Sequence, residues 1–506
     1  MHLKNASRYS LLLLFLISCS SARETVDFTL IHWNDFHAAN VPYEIRKSKS
    51  PNENLYRVGG SAYLKAYLDS LRRVHPNPIL VFAGDDFQGS PISGFTRGQS
   101  QIDLMVRLGP DVLTPGNHEF DYGEYHLMEM LSKTRLNYIS ANLYRKNADT
   151  TIFPPYWIRT VDGVTIAFIG GTTDELDRLC LPINIAELYT KPLKQELRRT
   201  VDALKKSHPD IAVWIAVTHA GFEVDTALAR QIPEFDLIIG SHTHTILSHA
   251  VTIGKTHIVQ AGSRGRFVGE VRMQYNKKAK RLESINCKLI ETINAGITPD
   301  SAVAAVVEKQ ESILGKQLDQ VIGELKVDWK LPRDFRESAI GNFETDRFRE
   351  YFNADIAFMN NGGFRRELPA GPVRLRDIWE INPFNNSMVG IYVTGDQIVP
   401  MLEYALKNSE SSLQASGIRY TVRRNGSNDY RVTEITVNGQ PIEAGRRYHV
   451  VMNNYMGMHL ENIFGLSKEN HELNDYGISD RDIIIDAIQK IKVIDQGLDG
   501  RVRVEP

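Results

Sequence analysis

The sequence is poor in cysteine, with three in 506 residues. That excludes a disulfide-stapled scaffold and an all-thiolate structural zinc site. An excess of one charge is missing too. Lys and Arg number 59 against 61 Asp and Glu, for a formal net charge of −2. Such a chain lacks the basic footprint of a general nucleic-acid binder. Apolar runs are short. The N-terminal run Leu11 to Ile17 has seven residues, where a membrane-spanning helix needs ~20, and no later stretch is long enough either. No internal repeat or low-complexity segment is visible. What is present is 42% hydrophobic and 24% charged residues. That balance supports sizeable cores rather than disorder, in two or three domains of roughly 150 to 250 residues each.

Lys4 and Arg8 precede the short apolar run and the small residue Ser18 follows it, the pattern of an export signal. Leu16-Ile17-Ser18-Cys19 resembles a bacterial lipobox. Residues 1–19 are therefore expected to be a lipoprotein signal, with Cys19 lipidated. The mature chain is expected to be tethered in the cell envelope of a bacterium, on the periplasmic or outer-membrane face. Export leaves Cys180 and Cys287 either paired in a disulfide or as two separate thiols.

From Val26 to about Ile293, strand-like runs recur between helical or polar stretches. They include Phe28 to Ile31, Ile79 to Ala83, Val164 to Ile169, Ile211 to Thr218 and Leu237 to Gly240. This alternation predicts an α/β domain over residues 26–293. Thr298-Pro299 reads as an N-cap followed by the first helical position. A linker helix is expected within residues 296–320, from Asp300 to about Leu318. Val303, Val306, Val307, Ile313, Leu314 and Leu318 fall on or near one face of it. A second domain over residues 321–504 mixes a helix near Asn342 to Phe352 with strands at Ile356 to Met359, Met388 to Val393 and Arg447 to Met452.

Histidine placement is the main positive signal. Asn34-Asp35-Phe36-His37 follows the first strand and Gly84-Asp85 the second. Gly116-Asn117-His118-Glu119-Phe120-Asp121, Thr218-His219 and Gly240-Ser241-His242-Thr243-His244 come after them. Asp-x-His in extended chain aims two side chains the same way, and His242 and His244 repeat that spacing. The glycines permit tight turns and close backbone approach. Asp85 is placed to bridge two cations. Mixed Asp, Asn and His ligands suit Zn or Mn. Asp86, beside the bridging acid, reads as a solvated or supporting carboxylate.

These motifs, in this order, resemble the calcineurin-type metallophosphoesterases. Gly116-Asn117-His118-Glu119-Phe120-Asp121-Tyr122-Gly123 is similar to the bacterial 5′-nucleotidase/UDP-sugar hydrolase family, and the resemblance covers nearly the whole mature chain. It implies a metallophosphoesterase β-sandwich flanked by helices. A helix would join that sandwich to a smaller α/β C-terminal substrate-binding domain. It further implies that Asp35, His37, Asp85 and His244 hold one divalent metal, and that Asp85, Asn117, His219 and His242 hold a second. His118 and Asp121 would be the catalytic pair. His244 stands where several members carry Gln or Asn.

In the second domain, Arg336-Glu337-Ser338, Asn360-Asn361-Gly362-Gly363-Phe364-Arg365 and Asn382-Pro383-Phe384 match the family's substrate loops. By that match Arg336 and Arg365 hold phosphate or ribose oxygens, Asn360 reaches the base edge and Phe384 stacks on the base. The family's C-terminal Gly-Gly-Asp-Gly-aromatic loop is missing. Asn454 to Phe464 stands in its place, with Phe464 or Tyr455 as the second stacking face.

The activity so implied is release of phosphate from nucleoside 5′-monophosphates by metal-bound hydroxide. The runner-up is a 2′,3′-cyclic nucleotide phosphodiesterase or a UDP-sugar pyrophosphohydrolase. Readings of another class are a nucleotide-binding lipoprotein without turnover and a structural zinc-bearing envelope protein. The partners expected are a small nucleotide and a membrane, with no nucleic-acid polymer.

Overall fold

Two mixed sheets face each other across the first half of the chain. One has five strands and runs, in spatial order, Arg281–Glu291, Phe267–Asn276, Thr25–Trp33, Pro78–Phe82, Val112–Leu113. The other has six, including Val164–Thr172, Ile211–His219 and Leu237–Ile239 side by side. The computed structural model describes residues 24–46, 55–384, 386–407, 413–424 and 430–505. The expected export signal and Cys19 lie outside the described residues.

Between the sheets lies a buried apolar layer. Phe28, Leu30, Ile79 and Val81 from the first sheet meet Ile166, Phe168, Val213, Ile215 and Val217 from the second. The alternate residues of the same strands pack outward under helices: Ile31 and Leu80 beneath Leu64 and Leu68, and Ala167 and Ile169 beneath Leu197 and Val201. Sheets covered on both faces require near-continuous apolar strands, which explains runs such as Ile211 to Val217. In the first sheet Thr25–Trp33 and Pro78–Phe82 pair in parallel. In the second, Val164–Thr172, Ile211–His219 and Leu237–Ile239 do the same. Their C-terminal ends open on the same side, where α/β sheets place ligands.

The linker helix spans Ser301–Leu318 and breaks its geometry at Gly315 (φ 32°). Asp300, rather than Thr298, caps it: its carboxylate accepts the Val303 N–H at 2.8 Å. Val303 packs on Ala62 and Leu104, and Leu314 and Leu318 pack on Ile92 and against Leu375 and Trp379. Ile313 does not join that face and is 67% exposed. The second half holds a five-stranded sheet that includes Ile356–Asn360, Ser387–Thr394 and Arg447–Asn453. Helices Ala339–Tyr351, Gly395–Lys407 and Asp480–Ile491 lie around it. No helix among the described residues is long and apolar enough to cross a membrane. Cys180 and Cys287 are both free thiols.

Candidate active site

The histidine and aspartate motifs converge at the strand ends. Backbone bonds join the first two loops, Asp35 N to Gly84 O at 2.9 Å and His37 N to Asp85 O at 3.1 Å. Asp85 sits at the centre, 2% exposed. His219 Nε2 lies 3.1 Å from its carboxylate and His37 Nε2 4.0 Å. The donor atoms fall into three overlapping groups, each within 4.8 Å: Asp35, His37 and His244; His37, Asp85 and His118; Asp85, His219 and His242.

The way the chain aims these groups differs from the sequence expectation. The ligand pairs do not stand in extended backbone. Asp35, His37, Asp85, His242 and His244 all have positive φ, at 47°, 51°, 64°, 76° and 54°. Non-glycine residues in this region are strained and cluster at functional sites. Left-handed turns thus do the aiming. They send His242 towards Asp85 and His219 while His244 turns to Asp35 and His37, so the two do not point the same way. Gly116 is required by space, since a Cβ there would lie 2.1 Å from Asp85 Oδ1.

Supporting groups fix each ligand. Asn34 donates to Asp35 Oδ2 and Gly262 O, both at 2.6 Å, and accepts from Ala261 N at 2.8 Å. His219 Nδ1 faces Ala83 O at 2.9 Å, which leaves Nε2 for Asp85 and a cation. Glu119 accepts three backbone N–H groups: Asp85 at 3.0 Å, Asp86 at 2.7 Å and Gly116 at 2.6 Å. Burial, then the Asp85 charge, pushes its pKa up to about 7. The sequence alone gives Asn34 and Glu119 no role, although both lie inside the motifs. Asp86 is not solvated: it is 2% exposed and accepts from Gln101 at 3.0 Å.

The donors fit divalent cations. Burial, followed by neighbouring His244, holds the His37 pKa well below its ordinary value. Burial, followed by His219, brings that of His242 to about 4. Both imidazoles thus favour neutral lone pairs, as metal ligands must. At His219, by contrast, burial is outweighed by Asp85, which raises the pKa to about 10, so a cation there has a proton to displace. Asn117 Oδ1 is buried and meets no hydrogen-bond donor, an orphan that a cation satisfies. His118 is set differently. Its Nδ1 lies 2.9 Å from Asp121 Oδ2. Burial opposes its charged form, but Asp121 and Asp85 outweigh burial and raise its pKa.

A cavity of about 230 Å³ opens over these residues and is lined from both halves of the chain. Asp85, Asn117, His118, Asp121, His242 and His244 face Asn360, Arg365, Phe384 and Tyr455. The Phe384 ring centre is 5.9 Å from that of His118, and the Arg365 guanidinium lies 5.8 Å from the Phe384 ring. Two expected substrate residues stand elsewhere. Arg336 does not line the cavity; its side chain is 67% exposed and lies 3.5 Å from Asp334. Phe464 is 1% exposed, packed on Phe358 in the core of the second half, so it offers no stacking face. Tyr455, on the short helix Asn454–Met458, lines the cavity instead, and its hydroxyl donates across the cleft to Arg178 O at 2.7 Å.

Comparison with known proteins agrees with this arrangement. The calcineurin-like phosphoesterase family matches residues 28–245, and the 5′-nucleotidase C-terminal domain matches residues 321–467. The chain is 26% identical to a 5′-nucleotidase of Vibrio cholerae, over 84% of each protein. It is 27% identical to endonuclease YhcR of Bacillus subtilis over 86% of its own length, but spans only 37% of that protein. The crystal structure of a 5′-nucleotidase precursor from Thermus thermophilus superposes with a TM-score of 0.86 at 26% identity, covering 95% of this chain and 100% of that one. The chain belongs to the 5′-nucleotidase family, with a calcineurin-like metallophosphoesterase domain followed by a 5′-nucleotidase C-terminal domain.

Proposed function

We propose that this protein releases phosphate from nucleoside 5′-monophosphates. The observation that carries this is the placement of Phe384 and Arg365 in one cavity with the metal-ligand cluster. Asp35, His37, Asp85 and His244 are assigned to one cation and Asp85, Asn117, His219 and His242 to the other, with Zn or Mn suited to this donor set. When bound, the two cations supply Lewis acidity towards phosphoryl oxygens and acidify water at neutral pH.

The chain's own groups do the rest. Asp121 orients His118 through the 2.9 Å contact. His118 then donates to the phosphoryl group or to the leaving ribose oxygen, offsetting charge as the bond breaks. Arg365 supplies a planar fork of donors to phosphate or ribose oxygens. Phe384 stacks on the base, Tyr455 supplies another part of the cavity wall, and Asn360 reads the base edge. An intact His118–Asp121 pair supports turnover over mere nucleotide capture.

A second reading keeps the same metals and changes the substrate to a 2′,3′-cyclic nucleotide or a UDP-sugar. It is favoured by the short helices Asn454–Met458 and Leu460–Phe464, which occupy the place of the family's glycine-rich loop. Initial rates on AMP, 2′,3′-cyclic AMP and UDP-glucose test the choice. AMP should be the fastest of the three, and a higher rate on either other substrate would displace it. Attachment of the mature chain to the bacterial envelope through Cys19 belongs to the same proposal; it rests on the lipobox-like sequence.

A further inference from the structure

The last helix, Asp480–Ile491, starts beside the segment that carries Phe384. Its first two residues grip that segment on both flanks. Asp480 N donates to Asn386 O at 3.0 Å, and Arg481 Nη1 donates to Asn382 O at 3.2 Å. Arg481 is 2% exposed, and its guanidinium carbon lies 3.4 Å from the centre of the Trp379 ring. Trp379 in turn stacks on Phe95 at 4.7 Å, with 19° between the planes. Phe95 ends the short helix Pro91–Phe95, a few residues beyond the Asp85–Asp86 loop. A column of guanidinium, indole and phenyl groups therefore runs from the Phe384 segment to the metal-bearing half.

Taking a guanidinium out of water is costly unless an opposite charge accompanies it, and Arg481 has the fully buried carboxylate of Asp480 beside it. The guanidinium also holds the Asn382 carbonyl, two residues before Phe384, while its flat face rests on the ring that meets the other half. We infer that Arg481 is a positioning residue for nucleoside recognition, fixing Phe384 over His118 and registering it against the metal centre through Trp379 and Phe95. This rests on the proposed stacking role of Phe384.

The test uses the metal-loaded full chain with AMP and p-nitrophenyl phosphate, reading KM and kcat separately. Arg481→Met should raise KM for AMP about tenfold, the scale of a lost charge-assisted hydrogen bond. It should leave kcat, and both constants for p-nitrophenyl phosphate, within about twofold. Arg481→Lys keeps a donor for Asn382 O but loses the flat stack. It should show the same asymmetry in smaller measure, and it decides the matter if Arg481→Met does not fold. Equal losses on both substrates, or no loss on either, overturn the inference. Phe384→Ala separates the two levels. If that variant discriminates between the substrates and the Arg481 variants do not, Arg481 has no positioning role and the clamp stands. If Phe384→Ala treats both substrates alike, clamp and inference fall together.

Discussion

Phe384 stands 5.9 Å from His118, ring centre to ring centre, with the two residues supplied by opposite halves of the chain. The contact closes one cavity around a phosphoester centre and an aromatic platform. Base–aromatic stacking contributes ~1–3 kcal/mol in single-strand binders. Phe384→Ala should therefore raise KM for AMP by about tenfold or more and leave p-nitrophenyl phosphate nearly untouched. Steady-state kinetics on the two substrates check this; equal losses would contradict it.

Asp85 and His118 should separate metal binding from chemistry. Asp85 lies within reach of His37 and His219, whereas His118 is held by Asp121. Asp85→Asn should lose metal, measured by elemental analysis after dialysis. His118→Ala should keep its metal and lose most turnover, on the order of 10²–10⁴-fold for a missing acid–base group. Normal turnover in His118→Ala would sink its assignment.

Glu119 binds the Asp85 and Gly116 loops through three backbone N–H groups. Glu119→Gln turns one acceptor into a donor that faces an N–H. The cost should be about 1–3 kcal/mol, with metal affinity lower by about 10–100-fold. A thermal melt and a metal titration measure both. An unchanged melting temperature with unchanged affinity would show that the carboxylate does not hold the loops.

Much of the candidate metal site was legible in the sequence because the groups that the structure brings together come in short motifs at strand ends. The order of the motifs marked a candidate metal centre, and the family resemblance singled out Asp35, His37, Asp85, Asn117, His219, His242 and His244 within it. The extended aim expected from their spacing was wrong for a local cause: the loops turn left-handed at Asp35, His37, His242 and His244 instead of running extended. Glu119 was hidden by its neighbours, since a carboxylate that binds only backbone has no partner motif to reveal it. Phe464 failed as a site residue because Leu460–Phe464 is a helix whose buried face carries Leu460, Ile463 and Phe464 into the core. Arg336 is not among the cavity-lining residues: its side chain is exposed beside Asp334, in a polar stretch whose sequence does not show which way the guanidinium turns.

The cysteines give a simple check on the fold. Cys180 and Cys287 are free, and burial raises both thiol pKa values, that of Cys287 to about 11. Residues 20–506 should titrate two thiols in denaturant without reductant, and react slowly when native. Zero thiols in denaturant would reveal a disulfide the structure does not contain.

The most direct measurement is phosphate release from AMP by residues 20–506, with Mn or Zn added and again after chelation. Release that stops on chelation and returns with metal is the predicted result. No release from AMP, while p-nitrophenyl phosphate is still cleaved, would contradict the nucleotide assignment; release indifferent to chelation would contradict the metal centre itself.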